Sequence, residues 1–191
     1  MKYALLIFLM FVSGCGPKGF IKGNYDDVNA ENLLNDSWSE TDMQVAVQSL
    51  AKSLTESDYV KLHFGPAVTI AGKIANKTSE HIDTQSVMDM TRVELTKNSQ
   101  VVFVDVEARE DIKTELAYQA SNVEKSTRAV AGEQVGASYL LSGTLSSVVQ
   151  EVGKDKSVYY KLTLSFTDIR TGVVIWSDHK QIRKVYKKRR I

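Results

Sequence analysis

The chain predicts one α/β domain with a mixed sheet, a C-terminal antiparallel three-strand meander and flanking helices. Three observations carry this. Helical and strand periodicities alternate from Ser39 to Val104, which is how parallel strands are joined through helices. After Gly136 the period drops to two and stays there through three runs separated by turn residues. No segment recurs at a fixed interval, so the elements belong to one unit from about Ser39 to about Lys184.

Ser39 opens the first helix, because its hydroxyl can accept from the free amides of the first turn, while Glu40 and Asp42 suit the positive end of the helix dipole. Met43, Ala46, Val47, Leu50 and Leu54 recur at three- and four-residue steps and define one buried stripe ending near Ser57. From Ala67 to Ile74 the chain alternates, with Val68, Ile70 and Ile74 on one face and Thr69 and Lys73 on the other; Pro66 stands at its start. Thr84 to Lys97 predicts a second helix through Val87, Met90, Val93 or Glu94, and Leu95. Val101 to Val104 is continuously apolar, as a strand covered on both faces is.

Asp105 to Gly136 is charged and alanine-rich and predicts one or two helices. Ile112, Leu116 and Ala120 form one stripe, Ala129, Val130 and Val135 another, and Ser126 stands between them as a cap. Tyr139 to Gln150, Ser157 to Asp168 and Val173 to Arg183 then read as strands, joined by the turns Gly153-Lys154-Asp155 and Arg170-Thr171-Gly172. The middle strand has the clearest pattern. Val158, Tyr160, Leu162, Leu164 and Phe166 lie on one face, and Tyr159, Lys161, Thr163, Ser165 and Thr167 on the other.

The region before the domain has its own signature. Lys2 precedes the apolar run Ala4 to Phe11, which is too short to cross the roughly 30 Å hydrocarbon core. Ser13 and Gly14 are the small residues a signal peptidase needs, and they lead into Cys15, the single cysteine. The string Leu9-Met10-Phe11-Val12-Ser13-Gly14-Cys15 resembles the lipobox of bacterial lipoproteins. That resemblance implies removal of residues 1–14 and diacylation of Cys15, giving an exported protein held to a bilayer by acyl chains. The plainer alternative is an ordinary cleaved signal beside an incidental cysteine. Gly16 in place of an aspartate favours, by the same resemblance, the outer membrane over the inner. Residues 15–38 lack a sustained apolar period and carry repeated Gly, Asn and Asp punctuation, so they read as a tether. About 20 residues reach at most on the order of 70 Å.

With 24 Lys and Arg against 23 Asp and Glu, the chain gives no general reason to expect nucleic acid or anionic lipid as a partner. The local exception is Lys187-Lys188-Arg189-Arg190, in a basic tail from 185 to 191 that reads either as solvated chain or as a contact with anionic headgroups or wall polymer. A lone thiol allows no internal disulfide, so stability rests on packing. His63, His81 and His179 have no metal-ligand spacing, and no phosphate-cradle or nucleophile-elbow string occurs. No metal, cofactor or catalytic set is expected. The candidate contact residues are instead an aromatic and a cation: Tyr159 among polar side chains, and Arg170 on the following turn, both types common at interface centres.

An ordered set of strings carries a family resemblance. Gly136-Ala137-Ser138-Tyr139-Leu140-Leu141-Ser142-Gly143-Thr144-Leu145, then Tyr159-Tyr160, then Thr167-Asp168-Ile169-Arg170-Thr171-Gly172 and Trp176 resemble the LpoB family, as do Asn35-Asp36 and Ile74-Ala75-Asn76-Lys77-Thr78. The resemblance implies an outer-membrane lipoprotein whose domain is similar to the N-terminal domain of TolB and does no catalysis. It would bind and activate a bifunctional class A penicillin-binding protein, with Tyr159 or Tyr160, and Arg170, as docking residues. The tether is short for such a family. A flagellar or envelope-assembly lipoprotein of the FlgO type and a lipid-anchored envelope hydrolase are the alternative readings.

Overall fold

The computed structural model describes residues 26–187 apart from 29, 63, 64, 98 and 99. Cys15, the signal segment, His63 and the last four residues lie outside the described residues. The chain divides into a unit of residues 1–30 and a unit of residues 31–191. Of the first, the described part is a turn in which the Ala30 amide donates to the Asp27 carbonyl at 3.1 Å.

The second unit contains α1 (Glu40–Glu56), α2 (Asp58–Lys61), β1 (Ala67–Lys77), α3 (Thr84–Thr96), β2 (Val101–Phe103), α4 (Arg109–Asn122), β3 (Tyr139–Val152), β4 (Asp155–Asp168) and β5 (Val174–Lys187). The sheet order is β2-β1-β3-β4-β5. β1 pairs in parallel with β2 and β3, and β3-β4-β5 form the antiparallel meander, so the mixed α/β fold read from periodicity is the fold observed.

Helix α1 begins as expected. Ser39 and Asp42 make a reciprocal capping box, in which the Ser39 hydroxyl accepts from the Asp42 amide and the Asp42 carboxylate accepts from the Ser39 amide. Its stripe Ala46, Val47, Leu50 and Leu54 is fully buried, with Met43 partly so. α1 packs on α3 and β5, and α3 packs on β1 and β2, so both cover one face of the sheet. The core between them and the sheet takes Leu162, Leu164 and Phe166 from β4, and Val158 is buried on the same strand face, which confirms the strand's alternation.

Several local expectations are corrected. In β1 the buried face carries Ala67, Thr69 and Ile74, while Val68 and Ile70 are half-buried on the other side. A register shift between Ala71 and Ile74 moves the chain by a residue and returns Ile74 to the core. Thr69 is tolerated there because its hydroxyl donates to the Ala67 carbonyl at 3.0 Å. In α3 the buried set is Val87, Met88, Thr91 and Leu95; Met90 is only half-buried and Val93 is 61% exposed. β2 is short and sits at the sheet edge, with only Val101 buried.

The stretch after β2 forms one helix rather than two. α4 has no buried residue, and beyond it the chain folds back without helix. Arg128 donates to the carbonyls of Ala120 and Val123 at 2.9 and 2.6 Å, and the Ala129 amide donates to the Gln119 side chain at 2.7 Å. A guanidinium on the free carbonyls of a helix C-terminus satisfies them and suits the dipole there. Ser126 caps nothing in this arrangement, and Val130 and Val135 are exposed.

The folded unit also begins before Ser39 and extends past Lys184. Residues 33–38 form a strap bound to β4 and β5, and β5 runs on to Lys187, paired with Asp155. Among the described residues no helix is long and apolar enough to cross a membrane.

Candidate docking surface

Alternation along β4 sends its odd-numbered side chains to the sheet face that α1 and α3 leave uncovered. Pairing fixes their neighbours. Val148, Tyr159 and Arg183 form one row across β3, β4 and β5, and Lys77, Ser146, Lys161 and Gln181 form the next across β1, β3, β4 and β5. At about 4.8 Å between strands, Lys77 and Lys161 stand roughly 10 Å apart, and Tyr159 lies beside both Lys161 and Arg183.

None of these residues is buried, and Lys77 and Arg183 are exposed. None of the ion pairs among the described residues engages Lys77, Lys161 or Arg183. Farther along the same face the polar groups satisfy one another: Ser165 and Ser177 hydroxyls meet at 3.1 Å, and Gln181 meets His179 at 2.8 Å. Tyr159 is thus an aromatic ring on a net-cationic, hydroxyl-rich sheet surface. Such a surface offers contact area and unpaired donors to an acidic partner. Lys77, Val148 and Arg183 carry no local sequence signal for this role, since only strand register brings them to Tyr159.

Tyr160 faces the other way. It is 1% exposed, its hydroxyl donates to the Glu80 carboxylate and to the Asp36 carbonyl, and its ring meets Trp38 edge-on at 5.4 Å between centroids. Burial, followed by the Glu80 hydrogen bond, pushes its phenol above the ordinary tyrosine range. The ring is therefore part of the core, where it holds the strap down. Of the tyrosine pair, only Tyr159 offers a side chain to solvent.

Around Tyr160 the strap is held by several further polar contacts. Asp36 pairs with Lys156 at 2.5 Å, Tyr186 donates to the Asn35 carbonyl at 2.6 Å, and the Trp38 amide donates to Glu80 at 3.0 Å. The hydrogen bond from Lys156 holds the Asp36 carboxyl below its ordinary value. Lys184, buried in β5, pairs with buried Asp42 at 2.5 Å and also donates to the Ser37 carbonyl at 2.6 Å.

Arg170 is exposed at the apex of the β4–β5 turn. The turn is built as its sequence demands: the Asp168 carboxylate accepts from the Thr171 amide and hydroxyl at 2.8 and 3.0 Å, and Gly172 takes φ +71°. The structure does not bring Arg170 to Tyr159. From Tyr159 to Asp168 the strand advances roughly 30 Å at about 3.3 Å per residue, which separates the two by the width of a whole standard interface.

Among the described residues, the sheet keeps one face open and the entry segment is strapped to β4 and β5. Residues 33–182 match the family described as peptidoglycan-synthase activator LpoB, and the chain belongs to that family. The LpoB C-terminal domain of Salmonella enterica is similar at 19% identity, over 74% of this chain and 98% of that one, with TM-score 0.48. The solution structure of Escherichia coli LpoB is similar at 15% identity over 94% and 86%, with TM-score 0.46. Lipoprotein GNA1162 of Neisseria meningitidis is similar at 16% identity over 63% and 84%, with TM-score 0.42. A comparison with curated protein sequences finds no match.

Proposed function

We propose that this chain is a periplasm-facing lipoprotein, anchored to the outer membrane through Cys15, that binds a bifunctional class A penicillin-binding protein and raises its activity without catalysing a reaction itself. The family match over residues 33–182 carries the reading, since its members are activators of peptidoglycan synthases. The lipobox ending at Cys15 supports export and anchoring. Activation by contact is a population shift: the domain binds the active arrangement of the synthase more tightly than the inactive one, and the difference in affinity sets the gain.

Docking is assigned to Tyr159 and its cationic neighbours, with Arg170 as a second, distant contact. Tyr160 supports that surface from beneath by fixing the strap and the strand on which Tyr159 stands.

The test uses the full processed chain and a purified class A synthase. Glycan polymerisation accelerates on addition, saturably, and Tyr159→Ala weakens binding by about tenfold or more, as loss of a central aromatic anchor does. The melting temperature of that variant stays within a degree or two of the parent. No change in synthase rate at saturating chain overturns activation even where binding persists. Capture of flagellar basal-body proteins in place of a synthase would assign the chain to the FlgO type, and turnover of peptidoglycan by the chain alone would make it a hydrolase.

A further inference from the structure

The strap fixes which end of the domain the anchor segment leaves from. Leu33 to Asp36 lie against Tyr186, one residue from the end of β5, and against Lys156, the second residue of β4. The β3–β4 turn at Gly153-Lys154 is at the same end, since Val152 pairs with Asp155 and Asp155 with Lys187. The Arg170 turn is at the other.

That anchor-side end has an unusual surface for one facing water. Leu34 is 90% exposed, Val152 79%, Val185 62% and Leu33 59%. Lys154 and Lys187 are exposed among them, and the chain continues beyond Lys187 with Lys188-Arg189-Arg190. Of the nearby carboxylates, Asp36 and Glu151 share Lys156, and Asp155 is exposed opposite Lys187. Exposed aliphatic side chains interleaved with lysines are the composition of a surface that seats at a lipid headgroup boundary, the apolar groups entering and the cations pairing with phosphates.

We propose that this end of the domain is a second, direct contact with an anionic bilayer surface, made by Leu33, Leu34, Val152 and Val185 with Lys154 and Lys187. The occupant follows from chain length as well as charge. Between Cys15 and Glu31 lie about 15 residues, a leash of at most on the order of 50 Å that leaves from this end of the sheet and holds it close to the membrane carrying the anchor. That argument rests on the Cys15 anchoring of the proposed function. The contact turns the Arg170 end away from the bilayer, leaves the open face of β3–β5 upright and accessible, and is relieved when the domain is drawn off toward a partner.

The experiment uses the full processed chain on vesicles of phosphatidylcholine alone and of phosphatidylcholine mixed with phosphatidylglycerol. An environment-sensitive fluorophore is placed through Leu34→Cys and, at the far end, through Thr171→Cys. The Leu34 label shifts to the blue on the anionic vesicles, reverts in high salt, and loses most of the shift in the double variant Lys154→Glu, Lys187→Glu; the Thr171 label does not move. A Leu34 label that stays water-like on anionic vesicles, while the chain floats with them, overturns the contact and leaves the anchor intact. Binding to anionic but not neutral vesicles by a chain whose Cys15 is shown by mass spectrometry to be unmodified supports the contact and overturns the anchor. Binding to purified peptidoglycan with no shift on either vesicle assigns the surface to the wall and overturns the lipid contact.

Discussion

Tyr160 is a phenol inside a sheet core, and its hydroxyl is tolerated there because Glu80 and the Asp36 carbonyl both accept from it. Tyr160→Phe keeps the ring against Trp38 but leaves two acceptors short of a donor, and is expected to lower stability by about 1–2 kcal/mol in urea unfolding with an unchanged slope. Asp42 matters more. Asp42→Ala strands the buried Lys184 ammonium and removes half of the α1 capping box, for an expected loss of about 3–5 kcal/mol. The Asp36–Lys156 pair sets a pH window. Asp36 titrates below its ordinary 3.8, so its contribution is complete above that value and is lost as pH falls through the lowered one. Lys156 titrates above 10.5, chiefly through its hydrogen bond to Asp36, so its contribution is complete below 10.5 and is lost as pH rises beyond it. The melting-temperature gap between the parent and Asp36→Asn is therefore widest across the neutral range, and closes at both extremes.

Among the elements, β4 is the most legible in sequence and α4 the least, for one physical reason. β4 is buried along its whole inner face, so its period of two records a real boundary between core and solvent. α4 buries nothing, and the Ile112, Leu116 and Ala120 stripe that reads as a core face has no core to meet. Hydrogen exchange is expected to follow this contrast, with α4 amides exchanging through local opening far faster than those of β4, which open only with the domain. The glycine between Ser142 and Thr144 is set by packing of one strand on the next. A Cβ at Gly143 would lie 2.5 Å from the Thr163 carbonyl oxygen and 2.7 Å from Leu164 Cδ2, so Gly143→Ala must part β3 from β4. The expected loss is about 1–3 kcal/mol, as for overpacking, measured by thermal unfolding. The β1 bulge was not legible, because alternation in Val68, Thr69 and Ile70 fits either face until the register with β3 is known.

For the whole molecule, the two ends and the open face set what each candidate residue can do. Tyr159 and Arg170, on one strand and the turn that follows it, stand roughly 30 Å apart along the strand, so Tyr159→Ala and Arg170→Ala are expected to act additively on synthase binding, within about 0.5 kcal/mol in a double-mutant cycle. Coupling well beyond that value would mean that the partner links them through its own structure.

By itself the sequence determined the fold class, the three-strand meander, the capped first helix and the turn that displays Arg170, because each is written in local periodicity or turn chemistry. It also carried the strings that resemble the LpoB family. Tertiary structure alone decided that Tyr160 is core and Tyr159 surface, that Lys77 and Arg183 join Tyr159, and that residues 33–38 belong to the domain. Those facts depend on which strands pair, in what register, and on contacts between residues more than a hundred positions apart, none of which leaves a mark in any short stretch of chain.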